Sequence, residues 1–215
     1  MATLQVSQIE IAPGDRLKIS SVNWHQFKDI AEELGAHRTA RVAYDNGKLE
    51  IMVPLPGHED DKEILSDLIK ALLEELDTEF RALGSTTFEQ QSTLKGIEPD
   101  QCFYIKHEAT IRGKRRLNIT TDPPPDLVLE IDTTARTHVE TYAALGVPEL
   151  WRFSPKGLSM HVLYAGSYKE VKESPLFPNL PLKEVIPYCL EQSRTLGRNT
   201  VMRDFRLWVK KQPKA

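Results

Sequence analysis

A short and strongly apolar segment, Asp126–Asp132 (DLVLEID), constrains the fold more than any other part of the chain. The three prolines directly before it, Pro123–Pro125, cannot lie inside a paired strand, so a strand is expected to begin after them. Strands that are this short and this apolar are typical of the interior of a sheet. The sequence therefore predicts that Asp126–Asp132 is a central strand.

The hydrophobic patterns around this strand predict helices and strands in a single domain with a mixed sheet, of the α/β or α+β class. Helical spacing of apolar residues predicts helices at about Trp24–Leu34, Asp60–Leu83, Ala135–Leu145 and Val201–Lys210. Alternating patterns and turn residues predict strands at Arg41–Tyr44, Lys48–Val53, Thr86–Gln91, Pro99–Ile105, Glu149–Phe153 and Leu158–Tyr164. The first segment, Thr3–Ser21, is expected to be an extended arm, and residues 174–211 to be a proline-rich segment followed by the final helix.

The composition narrows the class of protein. The chain has 215 residues, enough for one well-buried core but short for two full domains. Its formal net charge of -3 argues against a general nucleic-acid coat protein and leaves any contact with DNA to a local basic patch. Two distant cysteines, Cys102 and Cys189, exclude a cysteine zinc cluster and a disulfide framework. Because no signal peptide or membrane helix is predicted either, a cytoplasmic location is expected.

Two carboxylates lie where the interior of a sheet would not favour them. In the central strand, the period of two puts three apolar residues on one face and Glu130 on the other. Asp100 follows a proline at the start of another predicted strand. Burial of an unpaired carboxylate is costly, so these residues are expected either to form salt bridges or to bind a divalent cation together. Mg²⁺ or Mn²⁺ prefers such oxygen ligands and supports hydrolysis of phosphate esters.

Cationic side chains are expected near this pair. When the apolar stripe of the second helix is extended backwards, Lys62 and His58 fall on its core-facing side. They are either a lysine and a histidine at the rim of the core or cations beside the carboxylates. Glu50, between apolar neighbours in a predicted strand, is a weaker candidate for the same cluster.

A basic run lies in the connection between the two acidic strands, at Arg112, Lys114, Arg115 and Arg116. Such a run is either a solvated loop or a clamp for the phosphates of DNA. His138 and Tyr142, four residues apart on a predicted helix, share a face and either pack in the core or line a site.

In combination these segments resemble the Uma family of restriction-endonuclease-like proteins, in the PD-(D/E)XK nuclease superfamily. The resemblance covers about residues 24–164. It rests on Pro99-Asp100, Asp126–Glu130 and Tyr142–Trp151, with support from Trp24–Phe27, Gly47–Ile51 and Pro56–Glu59 leading into Lys62. It implies a mixed β-sheet flanked by helices, with a nuclease-like core at about residues 41–165 and an N-terminal β-rich extension. It also implies a divalent metal, usually Mg²⁺, and hydrolysis of phosphodiester bonds.

Carried over residue by residue, the resemblance assigns Asp100 to the aspartate of the PD motif and Glu130 to the acidic residue of (D/E)XK. The backbone carbonyl of Ile131 would complete the metal ligands. Asp132 stands where the superfamily has a lysine, and His138 stands where members of the family often have one.

The departure from the motif means that the cation that orients the attacking water must come from elsewhere. Lys62 is the first expectation and His138 the second, and Glu50, His58 and Asp132 are additional members of the predicted site. The resulting hypothesis is a metal-dependent DNA endonuclease, acting as a homodimer to reach both strands. The alternatives are a catalytically degenerate DNA-binding or assembly module with the same fold, and a metal-dependent hydrolase of another phosphate ester.

Overall fold

The architecture was established from a computed structural model, which describes residues 8–35, 40–84, 86–132 and 138–213. Within these residues the chain forms two β-sheets that are flanked by helices. The expected mixed α/β fold is therefore confirmed.

The first sheet is built from the N-terminal half of the chain. Its strands are β1 (Arg16–Ser20), β2 (Arg41–Asp45), β3 (Lys48–Met52), β5 (Phe88–Gln90) and β6 (Lys95–Ile97). They are antiparallel throughout and lie in the order β1-β3-β2-β6-β5. The hairpin predicted at Asn46-Gly47 joins β2 to β3, with both turn residues at positive φ. Helix α1 (Trp24–Leu34) covers one face of this sheet, where Phe27 stacks on Tyr44.

The second sheet is mixed and has six strands. They are β4 (Arg81–Gly84), β7 (Gln101–Tyr104), β8 (Leu127–Ile131), β9 (Glu149–Ser154), β10 (Gly157–Tyr164) and β11 (Ser167–Val171). Their order is β11-β10-β9-β8-β7-β4. Strand β8 lies inside this sheet, antiparallel to β7 and parallel to β9. The prediction of a central strand at Asp126–Asp132 is therefore confirmed.

Helices cover both faces of the second sheet. Leu127, Leu129 and Ile131 of β8 pack on α2 (Pro56–Glu75) and on the C-terminal helices α5 (Leu182–Leu196) and α6 (Arg198–Lys210). The opposite face of β8 packs on α4 (Val139–Ala144), where Val128 and Tyr142 share a core cluster. The short helix α3 (Glu108–Ile111) lies in the connection from β7 to β8. The predicted start of α4 at Ala135 lies outside the described residues.

The prediction of one helix from Asp60 to Leu83 was wrong at both ends. Helix α2 begins earlier, at Pro56, and ends at Glu75, because Asp77 adopts the left-handed conformation (φ 54°). The Thr78 amide then donates to the Leu73 carbonyl and the Asp77 amide to the Glu74 carbonyl, a Schellman ending. The last residues of the predicted helix form β4 instead, where Gly84 pairs with Gln101 and does not end a helix.

The proline-rich region before the last helix contains an element that the sequence interpretation missed. Helix α5 begins directly after Pro181, and only Pro187 falls inside it. Its buried residues Leu182, Ile186, Cys189 and Leu190 have helical spacing, but the prolines obscured that signal. The edge strand β11 was also missed, since it is mostly exposed and carries no clear alternation.

Candidate active site

The register of the second sheet brings the two predicted carboxylates together. Strands β7 and β8 are antiparallel, with Gln101 opposite Leu129, so Asp100 meets β8 at the level of Glu130. The backbone amide of Ile131 donates to Asp100 Oδ2 at 2.7 Å. Asp100, Glu130 and Ile131 all line one cavity of about 50 Å³, between the second sheet and the first. Asp100 and Glu130 therefore line the same cavity, and their joint binding of a metal stays a prediction.

Arg41, the first residue of β2, is the cation that the fold places against Asp100. Its Nη1 atom lies 2.7 Å from Asp100 Oδ1 and donates to the Pro99 carbonyl at 3.1 Å, while Nη2 donates to Glu59 Oε1 at 2.9 Å. The arginine is only 8% exposed. Burial disfavours its charged form, but the charges of Asp100 and Glu59 more than offset this and raise the pKa of Arg41.

His58, in the first turn of α2, is a second partner of Asp100. Its Nε2 atom lies 3.1 Å from Asp100 Oδ2, and its Nδ1 atom lies 3.4 Å from Glu59 Oε1 without forming a hydrogen bond there. Burial alone would lower the pKa of this imidazole, but its hydrogen bond with Asp100, its contact with Glu59 and the negative charge of Asp100 raise it to about 9. His58 therefore lies in the cluster around Asp100, and its role in the site stays a prediction.

Among the described residues, no cationic side chain forms an ion pair with Glu130. Its Oε1 atom accepts a hydrogen bond from the hydroxyl of Tyr142 on α4, which is fully buried. Burial, and then the negative charge of Asp100, raise the pKa of Glu130 well above its usual range, although Arg41 acts in the opposite direction. Two carboxylates in one desolvated cavity repel each other, and a bound cation would relieve that repulsion.

Lys62 was the first residue expected to supply the cation that orients the attacking water. It is not one of the described residues that line the cavity. Its Nζ atom is paired with Glu59 and lies 3.5 Å from Glu63. Lys62 thus reaches the carboxylates only through Glu59, which in turn holds Arg41. The prediction placed Lys62 by extending an apolar stripe backwards along a helix that was expected to reach Leu83, whereas α2 ends at Glu75.

His138, the second expectation, does line the cavity, but on the side of the N-terminal sheet. Its Nε2 atom lies 3.4 Å from Glu50 Oε1, and the same carboxylate lies 3.0 Å from Arg16 Nη1. Burial would raise the pKa of Glu50, but His138, Arg16 and Lys18 lower it overall. Asp132, in the place of the motif lysine, also lines the cavity and accepts a hydrogen bond from Arg152 Nε at 2.8 Å.

The basic run at Arg112–Arg116 lies away from this cavity. It belongs to the connection between the end of β7 and the start of β8, whereas Asp100 and Glu130 lie at the opposite ends of these strands. Arg112 pairs with Glu108, Lys114 pairs with Asp122, and Arg115 and Arg116 are exposed. A role for this run in phosphate binding stays a prediction, since the structure does not bring it to the cavity.

The donor atoms of the cavity fit a hard divalent cation in type and in number. Asp100, Glu130 and the Ile131 carbonyl are oxygen donors, and Mg²⁺ is usually bound by one or two carboxylates with water completing its shell. In the described part of the chain no group of three His, Cys, Asp or Glu side chains is arranged to hold a metal. A cation here would therefore depend on the two carboxylates, with Asp100 already engaged by Arg41 and His58.

Two residues of the cluster received little weight from the sequence. Arg41 is the first residue of a predicted strand. Val42 and Tyr44 lie on one face of this strand, so the period of two puts Arg41 on the opposite face, and this is its only local signal. Tyr142 was identified only as a residue that shares a helix face with His138. Its buried hydroxyl requires a partner, and Glu130 provides it.

Comparison with known proteins gives one family and one solved structure of interest. The profile of a family described as "Uma2: Putative restriction endonuclease" matches residues 24–196. A crystal structure described as "a putative nuclease belonging to DUF820 from Anabaena variabilis" is similar, with 14% sequence identity and a TM-score of 0.47. The similarity covers 78% of this chain and 90% of that one. No curated protein matches. Within the described residues, each helix is too short or too polar to cross a membrane.

Proposed function

The chain belongs to the Uma2 family of restriction-endonuclease type, and from this premise we propose that it is a divalent-metal-dependent DNA endonuclease. The observation that supports the proposal is the desolvated carboxylate pair Asp100 and Glu130 in one cavity, beside the buried cation Arg41. A carboxylate whose pKa is strongly raised by burial, as that of Glu130 is, is characteristic of a catalytic site when it lies in a cleft. The proposed substrate is the phosphodiester backbone of DNA.

In this proposal the ion is Mg²⁺ or Mn²⁺, and Asp100, Glu130 and the Ile131 carbonyl hold it. A bound ion of this kind supplies a reactive hydroxide and stabilises the charge of the transition state. Tyr142 holds the Glu130 carboxylate in place through its hydroxyl, and Arg41 holds Asp100. Arg41 also places a fixed positive charge beside the position of the scissile phosphate, as the motif lysine would.

Plasmid cleavage tests the proposal directly. Wild-type protein should nick supercoiled plasmid with Mg²⁺ or Mn²⁺ and not with EDTA. Glu130→Gln and Asp100→Asn should each lower the rate at least about a thousandfold, since the ion stabilises the transition state by several kcal/mol. Asp126→Asn is the matched control, because Asp126 is a carboxylate as buried as Asp100 and directly precedes the other end of β8. Equal loss in all three variants, or no loss in Glu130→Gln, would refute the assignment.

The identity of the cation is tested by four further variants. Arg41→Met should abolish most of the cleavage, and Arg41→Lys should recover part of it, because a point charge replaces the planar guanidinium. Lys62→Met and His138→Gln should stay within about tenfold of the wild type, as expected for residues outside the reacting centre. A reversed order, with Lys62→Met inactive and Arg41→Met active, would restore the original assignment of Lys62.

A degenerate, non-cleaving DNA-binding module is the second candidate. The observation that favours it is Asp132, which occupies the motif-lysine position and is paired with Arg152. In this case the wild type would bind DNA but leave plasmid intact with Mg²⁺ and with Mn²⁺. Glu130→Gln would then bind DNA as tightly as the wild type.

We further propose that two copies of the chain act together, since one active site reaches only one strand of a duplex. Light scattering after gel filtration measures this state. A mass of twice 24.5 kDa is expected. A monomer that makes only single-strand nicks would contradict it.

A further inference from the structure

The face of the N-terminal sheet that points away from α1 has a charge pattern that the carboxylate site does not explain. Leu17, Val42, Tyr44, Leu49 and Ile51 point toward α1 and form a closed apolar cluster with it. The side chains between them therefore point to the other face. This second face, which we call the basic sheet face, adjoins the cavity that holds Asp100 and Glu130.

The strand register sorts the basic sheet face into three cross-strand rows. The first row contains Arg16, Met52 and Arg41, the second Lys18, Glu50, Ala43 and Ile97, and the third Ser20, Lys48, Asp45 and Lys95. Five of these side chains are cationic and two are acidic. The chain as a whole has a net charge of -3, so the concentration of positive charge on this face is a local departure from the average.

Two of these cations extend into solvent. The side chain of Lys18 is 72% exposed, and its Nζ atom lies 3.5 Å from Glu50. Lys48 is exposed, and among the described residues it pairs with no carboxylate. Lys18 lies directly opposite Glu50, so Lys48 is its diagonal neighbour at roughly 7–8 Å. The remaining cations are held by carboxylates, as Lys95 is by Asp45.

A groove connects these lysines to the candidate active site. A second cavity, of about 190 Å³, is lined by Lys18, Lys48 and Asp45, among others. It shares Ala43, Glu50 and His138 with the cavity of Asp100 and Glu130. The two cavities therefore adjoin each other at the second cross-strand row. A linear polyanion that lies in one cavity can continue into the other.

We propose that the basic sheet face is the surface that holds the DNA backbone, with Lys18 and Lys48 contacting phosphates next to the one in the active site. This inference rests on the proposed function and specifies where its substrate lies. Lysine ammonium groups suit such contacts, because each acts as a point charge on a flexible stem that can follow a phosphate. In this proposal the basic sheet face takes the phosphate-binding role that was predicted for the basic loop at Arg112–Arg116. That loop lies at the far end of β7 and β8, which separates it from the site.

The test compares two matched pairs of substitutions. Lys18→Gln/Lys48→Gln removes two charges from the basic sheet face, and Arg115→Gln/Arg116→Gln removes two from the exposed loop. Binding of a fluorescein-labelled duplex and of its single strand is measured by anisotropy over a series of salt concentrations, with Ca²⁺ replacing Mg²⁺. All four side chains are exposed, and a thermal melt of each variant confirms its fold.

The sheet pair should weaken binding at least about tenfold at low salt, while the loop pair stays within about twofold. For each phosphate that the variant no longer neutralises, the slope of log K against log salt should fall by about 0.9 on duplex DNA and by about 0.7 on single strand. Equal effects of the two pairs, or a larger effect of the loop pair, would overturn the inference.

Cleavage separates this inference from the proposed function. If Lys18→Gln/Lys48→Gln loses affinity for DNA and the wild type does not cut plasmid, the DNA-binding role of the basic sheet face is supported and the endonuclease proposal is refuted. If the wild type cuts plasmid and Lys18→Gln/Lys48→Gln cuts it equally well at limiting DNA, the endonuclease proposal is supported and the DNA-binding role of the basic sheet face is refuted.

Discussion

Two groups of ion pairs in this protein use the same residue types in opposite environments. In the candidate active site, the side chains of Arg41 and Asp100 are 8% and 3% exposed. On the far side of α2, a row of arginines and one lysine joins that helix to α5 and α6. These pairs are Arg194–Asp61, Arg198–Asp67, Arg206–Glu74, Arg206–Glu75 and Lys210–Glu75. Their cations are 38% to 61% exposed.

The difference shows that burial decides what an ion pair contributes. Exposed pairs are screened by water and salt and contribute little, so the helical layer depends mainly on the apolar residues beneath them, such as Phe205 and Leu72. The buried pair is tightly coupled to its surroundings, and removal of one partner leaves a charge in a desolvated cavity. Such costly clusters concentrate at functional sites, which is consistent with the proposed role of Asp100 and Glu130.

Removal of the buried cation should have the largest effect on stability. Arg41→Met should lower the free energy of unfolding by about 3 kcal/mol, because Asp100 then keeps its charge with His58 and the Ile131 amide as its remaining partners in the described part of the chain. Urea denaturation measures this change. The double variant Arg41→Met/Asp100→Asn should recover about half of the loss, since the unpaired charge is gone. A loss below about 1 kcal/mol for the single variant would contradict the comparison.

Neutralising Glu130 should separate stability from function. In the absence of divalent ions, Glu130→Gln should raise the free energy of unfolding by about 1 kcal/mol, because it removes a desolvated charge next to Asp100 and keeps an acceptor for Tyr142. Thermal melts in EDTA measure this. Adding Mn²⁺ at about 100 times its Kd should stabilise only the wild type, by about 2.7 kcal/mol. Destabilisation in EDTA, or equal stabilisation by Mn²⁺, would count against the account.

The smallest effect is expected from the exposed row. Arg206→Gln should lower the free energy of unfolding by about 0.5–1 kcal/mol at low salt, because Arg206 contacts both Glu74 and Glu75. Arg203→Gln is the control on the same helix, since Arg203 lies no closer than 3.8 Å to Asp204. The difference between the two should vanish near 1 M salt, where the screening length is about 3 Å. A difference that persists in high salt would show that burial does not separate the two groups.

The elements of the fold that depend on local signals could be predicted from the sequence. The elements that depend on contacts between distant residues could not. The helix Trp24–Leu34, with Asn23 before it and Gly35 after it, was correct to the residue because its capping and its stop are local. The end of α2 was missed because the apolar stripe continues past Asp77, where the backbone turns left-handed. Nothing in the stripe itself shows that Arg81–Gly84 pairs with β7 instead.

The same distinction applies to the candidate site. The two carboxylates could be singled out from the sequence, because Glu130 lies within an apolar strand and Asp100 directly precedes another strand. Arg41 was not, since it lies 59 residues before Asp100 and meets it only where the two sheets approach each other. Its burial depends on the packing of one sheet against the other, which no local pattern records.

Binding of Mn²⁺ measured by electron paramagnetic resonance tests the central claim most directly, because the signal of free Mn²⁺ falls as the ion binds. The account predicts one Mn²⁺ per chain in the wild type and in Lys62→Met, and at least about a hundredfold weaker binding in Glu130→Gln. Equal binding by wild type and Glu130→Gln, or no binding by the wild type, would contradict the assignment of Asp100 and Glu130 as a metal site.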